Sequence, residues 1–334
     1  MNELLPWHKA QWQTLTRRLR DNVLPHALLL NGPPGVGKNH FAGLFAQSAL
    51  CENTPADGLP CGTCRGCLLN QAGSHPDYKR VSPLEDKKII GVDQVREIGE
   101  YFSLKSHYAG YKVVIISPAS AMNTQAANSL LKTLEEPPAR ALLILVTDSA
   151  ALLPATIRSR CQRIDFTKPP QDLARDWLTT RIEPPHDASV LLALADGAPL
   201  AALELASGDK IGQRMAMFAD FEILSRGQAS PVAIAGAWLK FELKETLYWI
   251  RGWITDMIRI KSAIHPPALA NRDIQQRLQV LASMLDLKTL HRQLDRISEA
   301  ARLASGQING QMLLEDILIA WTACLSRQAR KKDG

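Results

Sequence analysis

Short apolar runs alternating with amphipathic stretches fill the first half of the chain. Runs at Ala27 to Asn31, Tyr78 to Val81, Val113 to Ser117, Leu142 to Thr147 and Gln162 to Phe166 read as strands. Between them, apolar residues at helical spacing predict helices over Phe41 to Leu50, Val92 to Phe102 and Thr124 to Glu135. Pro137-Pro138 stop the last of these, because proline lacks the amide donor and clashes with the preceding turn. This rhythm predicts a parallel sheet flanked by helices.

After Phe166 the strand signals cease, and Lys168-Pro169-Pro170 reads as a boundary into helix-only sequence. A short helical unit is expected from about Gln171 to Ser207, interrupted at Glu183-Pro184-Pro185. From Asp209 onward the pattern predicts a bundle of five or six helices, including Leu243 to Ile264 and Leu287 to Leu303.

Composition changes this picture little. With 334 residues, 46% hydrophobic and 22% charged, the chain has ordinary globular composition and length for two or three domains. The longest strongly apolar stretch, Ala141 to Val146, is far shorter than the roughly 20 residues of a membrane-spanning helix, so no membrane segment is expected. Met1 to Trp7 lacks the features of a secretory signal, which makes a cytoplasmic protein the expectation. The net charge of +6 is modest and permits contact with nucleic acid without requiring it. Most of the excess lies from Ser207 onward, where 18 Lys and Arg face 13 Asp and Glu; the basic run 330–332 reads as a solvated end.

Chemistry first enters at residues 32–39, Gly32-Pro33-Pro34-Gly35-Val36-Gly37-Lys38-Asn39, which follow an apolar strand and precede a helical pattern. A G-x-x-x-x-G-K loop in that setting turns backbone amides and a helix N-terminus toward phosphate oxygens, so ATP or ADP is the candidate ligand. A plain glycine-rich turn that binds nothing is the alternative. Asn39 stands where a Ser or Thr hydroxyl normally helps to hold Mg²⁺. The acid that positions metal and water belongs at the end of a neighbouring strand, yet Val113 to Ile116 runs into Ser117-Pro118. Asp148, after the strand Leu142 to Thr147, reads as a polar sensor or a helix cap. ATP turnover by this chain alone is therefore expected to be very slow.

Cys51, Cys61, Cys64 and Cys67 follow the pattern C-x9-C-x2-C-x2-C, which suits tetrahedral zinc and, with all four ligating, a structural rather than a catalytic ion. Buried free thiols or a redox centre are the alternatives. His75 lies nearby, but His75-Pro76-Asp77 reads as the turn into the next strand.

Gly110-Tyr111-Lys112-Val113-Val114, the string Ala127 to Pro138 containing L-L-K-T-L-E-E-P-P, and Ile157-Arg158-Ser159-Arg160-Cys161 together resemble the bacterial clamp-loader AAA+ proteins. The resemblance implies a RecA-like domain over 1–167 carrying a zinc module at 51–67, a helical lid over 168–207 and a helical collar for ring assembly over 208–334. It also implies that Arg158 acts as an arginine finger on ATP held by a neighbouring subunit. The implied partners are the tau/gamma motor subunits and the delta subunit, with the sliding clamp and primed DNA reached through the complex. Asn39, Ser117-Pro118 and Leu200, which stands where motor subunits carry a nucleotide-sensing Arg, all depart from the motor pattern. They favour a non-hydrolysing subunit of the replicative polymerase complex over an ATP-hydrolysing motor. A stand-alone zinc-containing nucleic-acid-binding protein is the third reading; it calls for a concentrated basic or aromatic face, and the charge here is dispersed.

Overall fold

A computed structural model describes residues 3–332 apart from 86, 109, 185, 264–268 and 305–308, with side chains as far as 328. The chain divides into two compact units after Ala174. The basic side chains at 330–332 and the expected helix end at Ile264 lie outside the described residues.

In the first unit a short turn at Pro6–His8 leads into α1 (Lys9–Arg20), β1 (Ala27–Asn31), α2 (Lys38–Ala49), α3 (Arg65–Gln71), β2 (Tyr78–Val81), α4 (Val92–Ser103), β3 (Lys112–Ile116), α5 (Thr124–Glu135), β4 (Ala141–Thr147), α6 (Ala155–Arg158) and β5 (Gln162–Asp165). All strand pairs are parallel, in the order β2-β3-β4-β1-β5. Burial on both faces explains the near-continuous apolar runs of the central strands β1, β3 and β4, since helices cover each side of a parallel sheet, whereas the edge strands β2 and β5 are polar and more exposed. Leu29, Val114, Ile116, Leu143 and Leu145 face the core that holds Val95 and Ile98 of α4 with Leu130 and Leu134 of α5. The five strands and three helices expected from the pattern are present, α2 starting three residues early at Lys38 because the phosphate-loop turn runs straight into it. The pattern missed α1, α3 and α6.

Local signals fix the helix starts that flank the site. Asn123 accepts the Ala126 amide at 2.8 Å to cap α5, and Gln94 Oε1 accepts the Gly91 amide at 3.1 Å ahead of α4. Neighbouring β1 and β4 pair in the register Asn31↔Thr147, so the segments that follow them emerge side by side at one sheet edge.

The second unit is helical. After α7 (Gln171–Thr179), which straddles the division, come α8 (Ala188–Leu194), α9 (Pro199–Ala206), α10 (Lys210–Ser225), α11 (Pro231–Trp238), α12 (Leu243–Ser262), α13 (Gln275–Met284), α14 (Leu287–Leu303) and α15 (Gly310–Lys332). The last six form the expected bundle around Trp238, Trp253 and Trp321. No single described helix is long and apolar enough to cross a membrane.

One polar knot sits inside that bundle. Fully buried Arg214 donates to Asn271 Oδ1 at 2.7 Å and to both carboxylate oxygens of Asp273 at 2.7 and 3.1 Å. Asn271 in turn donates its backbone and side-chain N–H groups to buried Asp256 at 2.7 and 2.8 Å. Removing one partner leaves the others desolvated, so Arg214→Ala should destabilise the folded chain by about 3–5 kcal/mol. Urea denaturation of the variant against wild type measures this; a change below about 1 kcal/mol, as for an exposed pair, contradicts it.

Candidate functional site

The phosphate loop is shaped by glycine where no other residue fits. A Cβ on Gly32 would lie 2.1 Å from the Phe166 carbonyl oxygen, and Gly37 takes φ of +100° as the residue before α2. Trp7 Nε1 donates to the Val36 carbonyl at 2.9 Å, which pins the loop to the N-terminal turn. Beside it, buried His8 packs edge-on against Phe41 and Phe166. Burial pushes its imidazole down to about 4, so the ring stays neutral near pH 7.

Lys38 is 5% exposed and turned back on its own loop. Its ammonium donates to the carbonyls of Gly32 and Pro33, both at 2.6 Å, and to Asp148 Oδ1 at 2.8 Å. Asp148 follows β4, the neighbour of β1, which is why the sheet brings it to this lysine. It is therefore the counter-ion of the loop cation, and Ser149, not Asp148, precedes the short turn Ala150–Leu152. Asn39 is exposed, and its carbonyl meets Arg80 Nη2 at 3.5 Å. The acid-bearing position at the end of β3 holds Ser117-Pro118. The carboxylate that reaches the loop thus neutralises Lys38.

Arg158 ends the four-residue α6, next to Ile157, which is fully buried. That anchor leaves Arg158 exposed, with no side-chain partner among the described residues. Arg160, two residues on, donates to Glu135 Oε1 at 2.6 Å and to the Thr156 carbonyl at 3.0 Å. Nothing local in the sequence signals this tie between the end of α5 and the turn after α6.

The four clustered cysteines converge. Their sulfurs all lie within 4.8 Å of one another, with Cys51 to Cys64 and Cys61 to Cys67 each at 3.9 Å. A disulfide is excluded at that spacing. Four sulfurs about 2.3 Å from a tetrahedral ion sit about 3.8 Å apart, so the set fits a metal such as zinc. Backbone amides point at the sulfurs, from Cys61 to Cys51 Sγ and from Cys64 to Cys61 Sγ at 3.3 Å, and from Cys67 to Cys64 Sγ at 3.4 Å. The backbone donors of Thr63 and Cys64 hold the half-buried Cys61 thiol down to about 6, whereas burial pushes Cys51 and Cys67 up. His75 stays in its turn, where Nδ1 accepts the Asp77 amide at 3.1 Å.

A family model described as DNA polymerase III, delta subunit, matches residues 7–170, and a second, described as its C-terminal part, matches residues 209–323. DNA polymerase III subunit delta' of Pseudomonas aeruginosa is 32% identical over 97% of this chain and 98% of its own length. The protein of the same name from Escherichia coli is 32% identical over 94% of each chain. DNA polymerase III subunit tau of Bacillus subtilis is 38% identical over 47% of this chain and 27% of its own length. Among solved structures, a gamma-subunit-related DNA polymerase III protein from Thermotoga maritima shares the fold, with a TM-score of 0.50 at 18% identity over 94% of this chain and 99% of that one.

Proposed function

From the premise that this chain belongs to the DNA polymerase III delta' family of clamp-loader subunits, we propose that it works as a scaffold and trans-activator. In this reading it assembles with tau/gamma motor subunits and the delta subunit and helps to place the sliding clamp on primed DNA. The helices α7 to α9, over residues 168–207, act as the lid, with Leu200 in the first turn of α9, and the bundle from α10 to α15 acts as the collar. Zinc is the metal we assign to Cys51, Cys61, Cys64 and Cys67, with a structural role because four protein ligands leave no open position. When bound, it supplies a fixed cross-link and no chemistry.

The observation that carries the non-hydrolysing reading is the end of β3. A competent site needs a carboxylate there to hold Mg²⁺ and to polarise water, and Ser117-Pro118 supplies none. The chain's contribution to hydrolysis is then a guanidinium offered to another subunit's ATP, and Arg158 is our candidate because it is exposed and has no side-chain partner among the described residues. Arg160 is the second, because its pair with Glu135 is solvent-exposed and such pairs exchange partners at little cost.

The competing motor reading draws on the intact Gly32 to Lys38 loop and on the kinship with a tau subunit. Steady-state phosphate release separates the two. The purified chain should hydrolyse ATP at background rate, unchanged by Lys38→Ala, whereas a complex reconstituted with tau/gamma and delta subunits should turn over only when this chain is included. Turnover by the chain alone, abolished by Lys38→Ala, would make it a motor.

A further inference from the structure

Residues 52–57 of the loop between Cys51 and Cys61 are exposed, but the loop's backbone is seated on α1 and α2 at Asp57 and Gly58. The Asp57 carbonyl accepts Trp12 Nε1 of α1 at 3.0 Å, and the Gly58 carbonyl accepts Ser48 Oγ of α2 at 2.6 Å. Gly58 is buried at φ +77°, and a Cβ there would stand 2.5 Å from Thr16 Cγ2. Only glycine lets the loop backbone sit this close to α1.

α1 is joined to the phosphate loop at its other end. Trp7 Nε1 holds the Val36 carbonyl at 2.9 Å, and a ring nitrogen of His40 meets the Glu3 carbonyl at 2.7 Å. The Trp12 ring lies edge-on to Phe41 and Phe45, on the helix that starts at Lys38. One short stretch of chain therefore touches the metal loop at Trp12 and Thr16 and the phosphate loop at Trp7.

We infer that the metal loop is a strut for the phosphate loop, with Trp12 and Gly58 as the positioning residues that transmit metal occupancy through α1 to Val36 and Lys38. The inference rests on the four cysteines holding a metal. With both ends of the loop fixed to one ion, Asp57 and Gly58 have a single seat on α1 and α2. Without the ion the same polar segment regains chain entropy and releases its hold.

Hydrogen exchange by mass spectrometry on the full chain tests this, together with zinc content per chain. Stripping the metal should speed exchange about tenfold in peptides covering 7–20 and 34–40, while β3 and β4 keep their protection. Gly58→Ala, strained by its positive φ, should reproduce that pattern with zinc retained. Trp12→Phe keeps an aromatic ring against Phe41 and Phe45 but removes the N–H donor together with part of the indole, so it should give an acceleration in the same peptides, and it decides the matter where Gly58→Ala loses zinc. Acceleration confined to 51–67, or spread into β3 and β4, overturns the strut. Wild-type chain that carries no metal after dialysis defeats instead the metal reading beneath it.

Discussion

In a reconstituted clamp loader, Arg158→Ala should slow ATP hydrolysis at the neighbouring subunit's site by about 10³-fold or more, the range by which a trans arginine accelerates phosphoryl transfer. The effect arises because a guanidinium offers a rigid fork of donors to oxygens that gain charge in the transition state. Assembly and stability should be untouched, since Arg158 is exposed and its side chain has no partner among the described residues. Arg158→Lys keeps the charge but loses the fork and should remain slow. Single-turnover hydrolysis, with assembly checked by gel filtration, reads both. Arg160→Ala belongs in the same series: it breaks an exposed pair with Glu135, worth at most about 1 kcal/mol of stability, so a large loss of hydrolysis would report on catalysis. A loss confined to Arg160→Ala would move the finger two residues along the chain. If neither variant slows hydrolysis, the trans-activator role is wrong.

Much of this geometry was legible before folding was considered. Strand runs such as Val113 to Ile116 announce themselves because a parallel sheet buries both faces, and the end of α5 is marked by the two prolines that follow it. The phosphate loop and the cysteine set are local in sequence, so spacing alone exposes them. What was hidden is non-local. Nothing around Asp148 says that it meets Lys38; that contact needs β4 paired with β1. Likewise the Trp7 to Val36 hydrogen bond, spanning 29 positions, and the Glu135 to Arg160 tie depend on the packed arrangement of elements. The missed helix α1 did carry a signal, with Trp12, Leu15 and Leu19 at helical spacing, while α3 is only seven residues long. It begins at a metal-ligand candidate, since Cys64 Sγ caps it by accepting the Cys67 amide.

That double duty of Cys64 makes the metal module the second place where one change should have a large effect. Cys64→Ser removes a sulfur ligand, and Cys67→Ser removes the ligand one turn further on. Either should drop zinc from about one ion per chain to near none after dialysis against a chelator. Structural zinc contributes about 10 kcal/mol or more of apparent folding energy in isolated modules, so losing it should cost α3 its protection in hydrogen exchange. Acid should mimic the substitutions. Burial raises the Cys51 and Cys67 thiols, so binding must expel their protons, and affinity falls as pH falls. Cys61 behaves differently: its thiol is lowered to about 6, so it is already a thiolate at neutral pH and protonates only as pH drops through that value. Chelator competition should therefore extract zinc more readily at pH 6 than at pH 8. A metal-free chain that keeps α3 fully protected at both pH values would show that hydrogen bonds and packing alone hold the cysteines together, and the zinc assignment would fall.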